Sequence, residues 1–182
     1  MMAGEARETW IVTHRVVTEH ALGESGANLE ALSTQECQAY LAQGGLGRVA
    51  FAVGGVAIVL PVNYAVLAAA DADPDADANP AGHDEIVFLT SSGSKLRAVQ
   101  SGCVVTFEVD HFGENGAGWS VLATGPARTS THAGLIRLVR DRGVIPHGAV
   151  AVDHVVGIEV RFVTGRRFGS PSTHRPLHQR EP

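Results

Sequence analysis

Two apolar runs, 47–53 and 56–67, flank Gly54 and Gly55, and this pattern predicts a β-hairpin. Pro61 interrupts the second run. Proline has no N–H to give a ladder, so it marks an edge, a bulge or a bend. Upstream, Ser33 followed three residues later by Glu36 is a capping box for a short helix with Cys37, Tyr40 and Leu41 on one face, stopped at Gly44 and Gly45. Downstream, 86–90 predicts a strand, 94–101 a short helix, and 103–110 and 119–128 two strands joined by a glycine-rich turn. Residues 131–141 read as helical, and 153–168 as one long final strand. Six strands, mostly hairpin-connected, with short flanking helices predict a mainly β (α+β) fold, a small six-stranded antiparallel barrel. The expected organisation is an N-terminal extension over 1–31, one domain over 32–168 and a polar tail over 169–182.

Composition narrows the chemistry. The chain has 182 residues, is 45% hydrophobic and carries a net charge of −5, which allows a sizeable core and disfavours nonspecific nucleic-acid binding. Nine histidines are scattered without ligand spacing, and Cys37 and Cys103 belong to no C-x-x-C pair, so no metal or redox-pair site is expected. Aspartates alternate at 71, 73, 75 and 77, but Ala76 stands where a calcium loop needs glycine, so 71–85 reads as a solvated loop. No apolar run reaches bilayer length, and the expectation is a cytoplasmic protein with no nucleic-acid or membrane partner.

The most informative stretch is Thr90-Ser91-Ser92-Gly93-Ser94-Lys95-Leu96, at a strand-to-helix turn. Free backbone N–H groups and the helix dipole favour an anion there, and Lys95 adds a full charge. The spacing is not that of a Walker loop. Ser92 or Ser94 would equally serve as a helix N-cap.

The order of Gly47-Arg48-Val49-Ala50-Phe51, Pro61-Val62-Asn63-Tyr64, Phe88 through Leu96, Phe107-Glu108-Val109-Asp110, Gly118-Trp119-Ser120-Val121, Gly125-Pro126-Ala127 and Val163-Thr164-Gly165-Arg166-Arg167 resembles the pyridoxamine 5′-phosphate oxidase-like family. It is similar to the small flavin-binding members with a split β-barrel, over about residues 32–168. The resemblance implies a homodimer with FMN at the subunit interface. Ser92, Ser94 and Lys95, in the loop opened by Thr90, would hold the 5′-phosphate. Pro61, Val62 and Asn63 would lie along the isoalloxazine ring, where an asparagine offers both a donor and an acceptor; Asn63 would otherwise satisfy backbone beside Pro61. Trp119 would pack on the ring, at the dimer interface or in the core. Arg48 and Arg166 suit a phosphate or a ring carbonyl, or a surface ion pair. The two-arginine strand pattern of the vitamin-B6 oxidases is not evident, so a pyridoxamine phosphate oxidase is not expected.

The resemblance thus implies a flavin-dependent oxidoreductase acting on a small molecule. A non-catalytic flavin carrier or sensor and an F420-dependent reductase are the alternatives. His111 follows Glu108 and Asp110 closely enough to raise a proton relay, but alternation along a strand disfavours it.

Overall fold

The structure, a computed structural model, describes residues 29–69, 83–91, 103–114, 116–146 and 152–169. Its elements are β1 (Leu29–Ala31), α1 (Thr34–Leu41), β2 (Gly45–Val53), β3 (Val56–Leu67), β4 (Glu85–Thr90), β5 (Val104–Phe112), β6 (Gly118–Ser130), α2 (Ala133–Asp141), β7 (His154–Glu159) and β8 (Phe162–Phe168). Every strand pairing is antiparallel. Strands β6, β5, β2, β3, β4 and β7 follow one another, and β7 returns to β6, closing a six-stranded barrel. Strands β8 and β1 extend from β6 as a ribbon, so Leu29–Ala31, within the expected extension, joins the sheet.

The local signals explain the elements. Gly54 and Gly55 adopt positive φ and turn the β2–β3 hairpin in unbroken register from Val53↔Val56 to Gly45↔Tyr64. The capping box forms as expected: the Ser33 side chain accepts from the Glu36 backbone, and the Glu36 carboxylate accepts from the Ser33 backbone. Alternation sends Val49, Phe51, Val105, Phe107, Val109, Val121 and Ala123 into the barrel. Gly47 leaves room for the Phe107 ring, since a Cβ there would lie 2.3 Å from ring carbon Cζ. Helix α2 covers part of the outside, packing Leu135 and Val139 on Val87, Leu89 and Val155. Strand β4 is therefore buried on both faces, which is why 86–89 is an unbroken apolar run rather than an alternating one.

One expectation needs correction. Residues 153–168 do not form a single strand but β7 and β8. Both pair with β6, β7 over Ala127–Ser130 and β8 over Gly118–Thr124, and the register shifts by one residue between them. Pro126, which cannot donate, and Gly125 sit at the break. A Cβ on Gly125 would lie 1.7 Å from the Glu159 carbonyl oxygen, so the backbones close in there and the strand must step aside. The predicted helix over 94–101 and the aspartate-rich stretch over 71–82 lie outside the described residues.

Candidate functional site

Strand β3 carries the first group of site residues. Its register with β2 runs through Arg48↔Pro61 without a bulge. On its other side β4 pairs only from Tyr64↔Phe88 to Leu67↔Glu85. Pro61 therefore lies on an edge, the one sheet position where a missing N–H costs nothing. Beyond Tyr64 the two strands part, and β4 runs on to Thr90, paired with His154. Pro61, Val62 and Asn63 thus flank a split whose other lip is Thr90 and Ser91. Thr90 Oγ1 donates to the Ser91 carbonyl at 3.3 Å. Ser92, Ser94 and Lys95, which follow directly, lie outside the described residues. Val62 packs against the barrel core, whereas Asn63 Nδ2 donates to the Ile145 carbonyl at 2.7 Å, beside a pocket of about 340 Å³ bordered by Gly44, Arg142 and Gly143.

Arg48 is placed on the outer face of the sheet. Its Nη1 donates to Glu108 Oε2 at 3.0 Å and to Asp110 Oδ1. These two carboxylates, Asp110 first, raise the Arg48 pKa. Glu108 is itself held above its ordinary value, chiefly by burial and further by Asp110, because one guanidinium serves two carboxylates. Apolar side chains are exposed on the same sheet: Leu46 at 55%, Val59 at 57%, Leu122 at 44% and Phe112 at 66%. Arg166 stands opposite Ser120, and its side chain makes no hydrogen bond or ion pair among the described residues.

A third group lies at one end of the barrel. His111, Trp119 and Arg167 form a cross-strand row over β5, β6 and β8. The Trp119 ring stacks on Tyr40 of α1 with centroids 4.0 Å apart and lies 6.2 Å from the His111 ring. Arg167 donates to Glu30 at 3.2 Å, to Glu36 at 2.9 Å and to Tyr40 Oη at 3.4 Å. Glu36 is held down to about 2, first by the Ser33 backbone N–H and then by Arg167. The row borders an open cleft of about 630 Å³, together with Leu29, Glu30 and Phe168. His111 faces Trp119 while Glu108 and Asp110 hold Arg48, so the three do not assemble into a relay.

A family model described as pyridoxamine 5′-phosphate oxidase matches residues 33–167. The chain belongs to this family. None of the curated proteins matches. Among solved structures, the chain is similar to the FAD binding protein from Mycobacterium smegmatis, at 26% identity and TM-score 0.56, covering 77% of this chain and 98% of that one. It is also similar to a conserved protein of unknown function from Corynebacterium diphtheriae, at 27% identity and TM-score 0.58, covering 78% and 99%. A FAD-binding protein from Mesorhizobium loti, at 22% identity and TM-score 0.56 over 80% and 100%, shares the fold.

The pyridoxamine 5′-phosphate oxidase-like match ends at Arg167, which ties β8 to β1 and α1. The sequence marked Arg167 only as the last residue of the Val163–Arg167 motif and gave it no role. Two residues before it, a Cβ on Gly165 would lie 2.7 Å from Cys37 Sγ and push α1 away. Also unanticipated is the pair between Arg128 and Glu85, two contacts of 2.6 and 2.5 Å with Glu85 3% exposed. Among the described residues no cluster of His, Cys, Asp or Glu could hold a metal ion, and no helix is long and apolar enough to cross a membrane.

Proposed function

We propose that this chain is a flavin-binding oxidoreductase that works as a homodimer, with the flavin between two copies. The observation that carries the reading is the split between β3 and β4, whose lips are Pro61–Asn63 and Thr90–Ser91 and whose second lip runs straight into Ser92, Ser94 and Lys95. The residues present fit the group. The edge that β4 leaves along Pro61 and Val62 suits the rim of a flat ring, and hydroxyls followed by a lysine suit its phosphate. The 26%-identical FAD binding protein supports a flavin over F420. FMN is the form assigned here, and FAD is its competitor.

A second copy supplies the remaining group in this reading. Arg166 lies on β8, in the ribbon that extends from the closed barrel, and would reach the ring from a partner's sheet laid across the first. The exposed Leu46, Val59, Leu122 and Phe112 give that sheet the apolar surface such packing needs.

In this mechanism a bound flavin supplies hydride or single-electron transfer. The chain's part is to bind and orient it. Lys95, Ser92 and Ser94 hold the phosphate, Pro61, Val62 and Asn63 align the ring, and Arg166 of the facing copy donates to a ring carbonyl or phosphate. Trp119 meets the ring or the substrate from the cleft side, where it excludes water. Arg48 stays with its two carboxylates and sets the packing of the sheet face.

Mass spectrometry of the cofactor released from purified protein tests the reading: FMN or FAD supports it, F420 or no cofactor refutes it. Reduction of the bound flavin by NADPH or NADH in stopped flow separates an enzyme from an inert carrier. Lys95→Ala should weaken flavin binding by roughly 1.5–3 kcal/mol in isothermal titration, the value of a charge-assisted contact. Unchanged affinity would place the phosphate elsewhere.

A further inference from the structure

We infer that Arg167 is a positioning residue, which sets Trp119 at the border of the cleft by bracing Tyr40 and α1 against β8. Three observations meet here. Trp119 and Arg167 are direct cross-strand partners on β6 and β8, so the guanidinium rises beside the indole. That guanidinium reaches three acceptors on two other elements: Glu30 on β1, and Glu36 and Tyr40 on α1. The Tyr40 ring, whose hydroxyl Arg167 meets, is the one stacked on Trp119 at 4.0 Å and 21°.

The half-buried indole also packs against the edge of the barrel core. Its second aromatic neighbour is His111, at a looser 6.2 Å. The neighbouring Gly118 offers no side chain on β6, and the cleft opens on the remaining side. Tyr40 is therefore the wall against which Trp119 rests, and Arg167 is what ties that wall to the strand carrying the tryptophan's partner. A planar fork suits the task, because Nη1 reaches Glu30 while Nη2 reaches Glu36 and the Tyr40 hydroxyl, a spread that a compact ammonium covers less well. Without the guanidinium, Glu30 and Glu36 would also face one another uncompensated, and α1 would lose its link to the ribbon.

The consequence for function rests on the reading above, in which Trp119 meets the flavin or its substrate. Arg167 would then tune that contact without touching the cofactor.

The test uses the full chain with Trp10→Phe, which leaves Trp119 as its one tryptophan. Arg167→Ala should raise acrylamide quenching of Trp119 in the cofactor-free protein by roughly two- to tenfold, the population change expected from a lost stacking contact. It should also weaken the near-ultraviolet dichroism of the stacked pair. Arg167→Lys, which keeps the charge and protects against failure to fold, should recover part of both signals. Arg161→Ala is the control, because Arg161 is comparably exposed and ion-paired to Glu159 at 3.0 Å. It should leave Trp119 unchanged. The inference is overturned if Arg167→Ala superimposes on its parent, or if Arg161→Ala produces the same change. Flavin titration of the same variants judges the other reading separately: a loosened Trp119 with unaltered flavin affinity and spectrum upholds the positioning role and removes Trp119 from the cofactor site.

Discussion

Two arginine–carboxylate groups sit on the outer side of the same barrel and differ in almost everything else. Arg128 of β6 reaches Glu85 of β4 across the intervening strand β7, directly over Gly157, with Leu135 of α2 at the same spot. Glu85 is nearly inaccessible, and both carboxylate oxygens are taken by one guanidinium. Arg48 is 46% exposed and shares its charge between Glu108 and Asp110. The first group is closed and charge-balanced. The second is open and carries one carboxylate too many. A buried pair must match its charges because water cannot make up the difference, whereas a surface cluster is free to keep an imbalance that a partner can answer.

That contrast can be broken from the buried side first. Arg128→Ala leaves Glu85 charged and enclosed, and should cost about 3–5 kcal/mol in denaturant unfolding. Replacing both partners by leucine should recover most of the loss, and a double variant as unstable as the single one would show that packing, not charge, is at stake. Next in size is Gly157→Ala. Its Cβ would lie 2.0 Å from Glu85 Oε1, so the carboxylate must leave its fork, at about 1–3 kcal/mol of stability. On the open side, Arg48→Ala should change monomer stability far less than either buried-side variant, because water screens an exposed pair. Its larger effect is expected in the dissociation constant of the proposed dimer, measured by analytical ultracentrifugation.

Acidity sharpens the comparison last. Glu108 is held above its ordinary pKa by burial and by Asp110, so the folded protein binds its proton more readily than the unfolded chain does. Its unfavourable contribution should disappear as pH falls through that raised value. Glu36 runs the other way: lowered from 4.5 to about 2, it helps the fold fully above pH 4.5 and loses that help as pH falls towards 2. Stability measured against pH should therefore flatten in opposite senses for Glu108→Gln and Glu36→Gln. A common direction would refute the assignment.

Much of the fold was legible because its signals are local. Gly54–Gly55 specified the hairpin and Ser33 and Glu36 the cap, while Pro61 left an edge, a bulge or a bend open. The break between β7 and β8 was not legible, because its cause lies across the sheet at Gly125 and Pro126, and 153–168 alone reads as continuous. The site divides in the same way. The irregularity at Pro61 and the turn after Thr90 showed locally, whereas their place beside a flavin came only from the family resemblance. The partners of Arg48, Arg128 and Arg167 are fixed by register, which brings together residues 43 to 137 positions apart and which no local pattern encodes.

Strand β6 serves two neighbours along a single edge, the barrel through β7 and the ribbon through β8. Its amides thereby become two clocks on one strand. Hydrogen exchange near Ala127–Ser130 should report opening of the closed barrel, and exchange near Gly118–Thr124 the peeling of β8 and β1. Should the ribbon peel first, Trp119 and its cleft would change shape while the six-stranded barrel stayed shut.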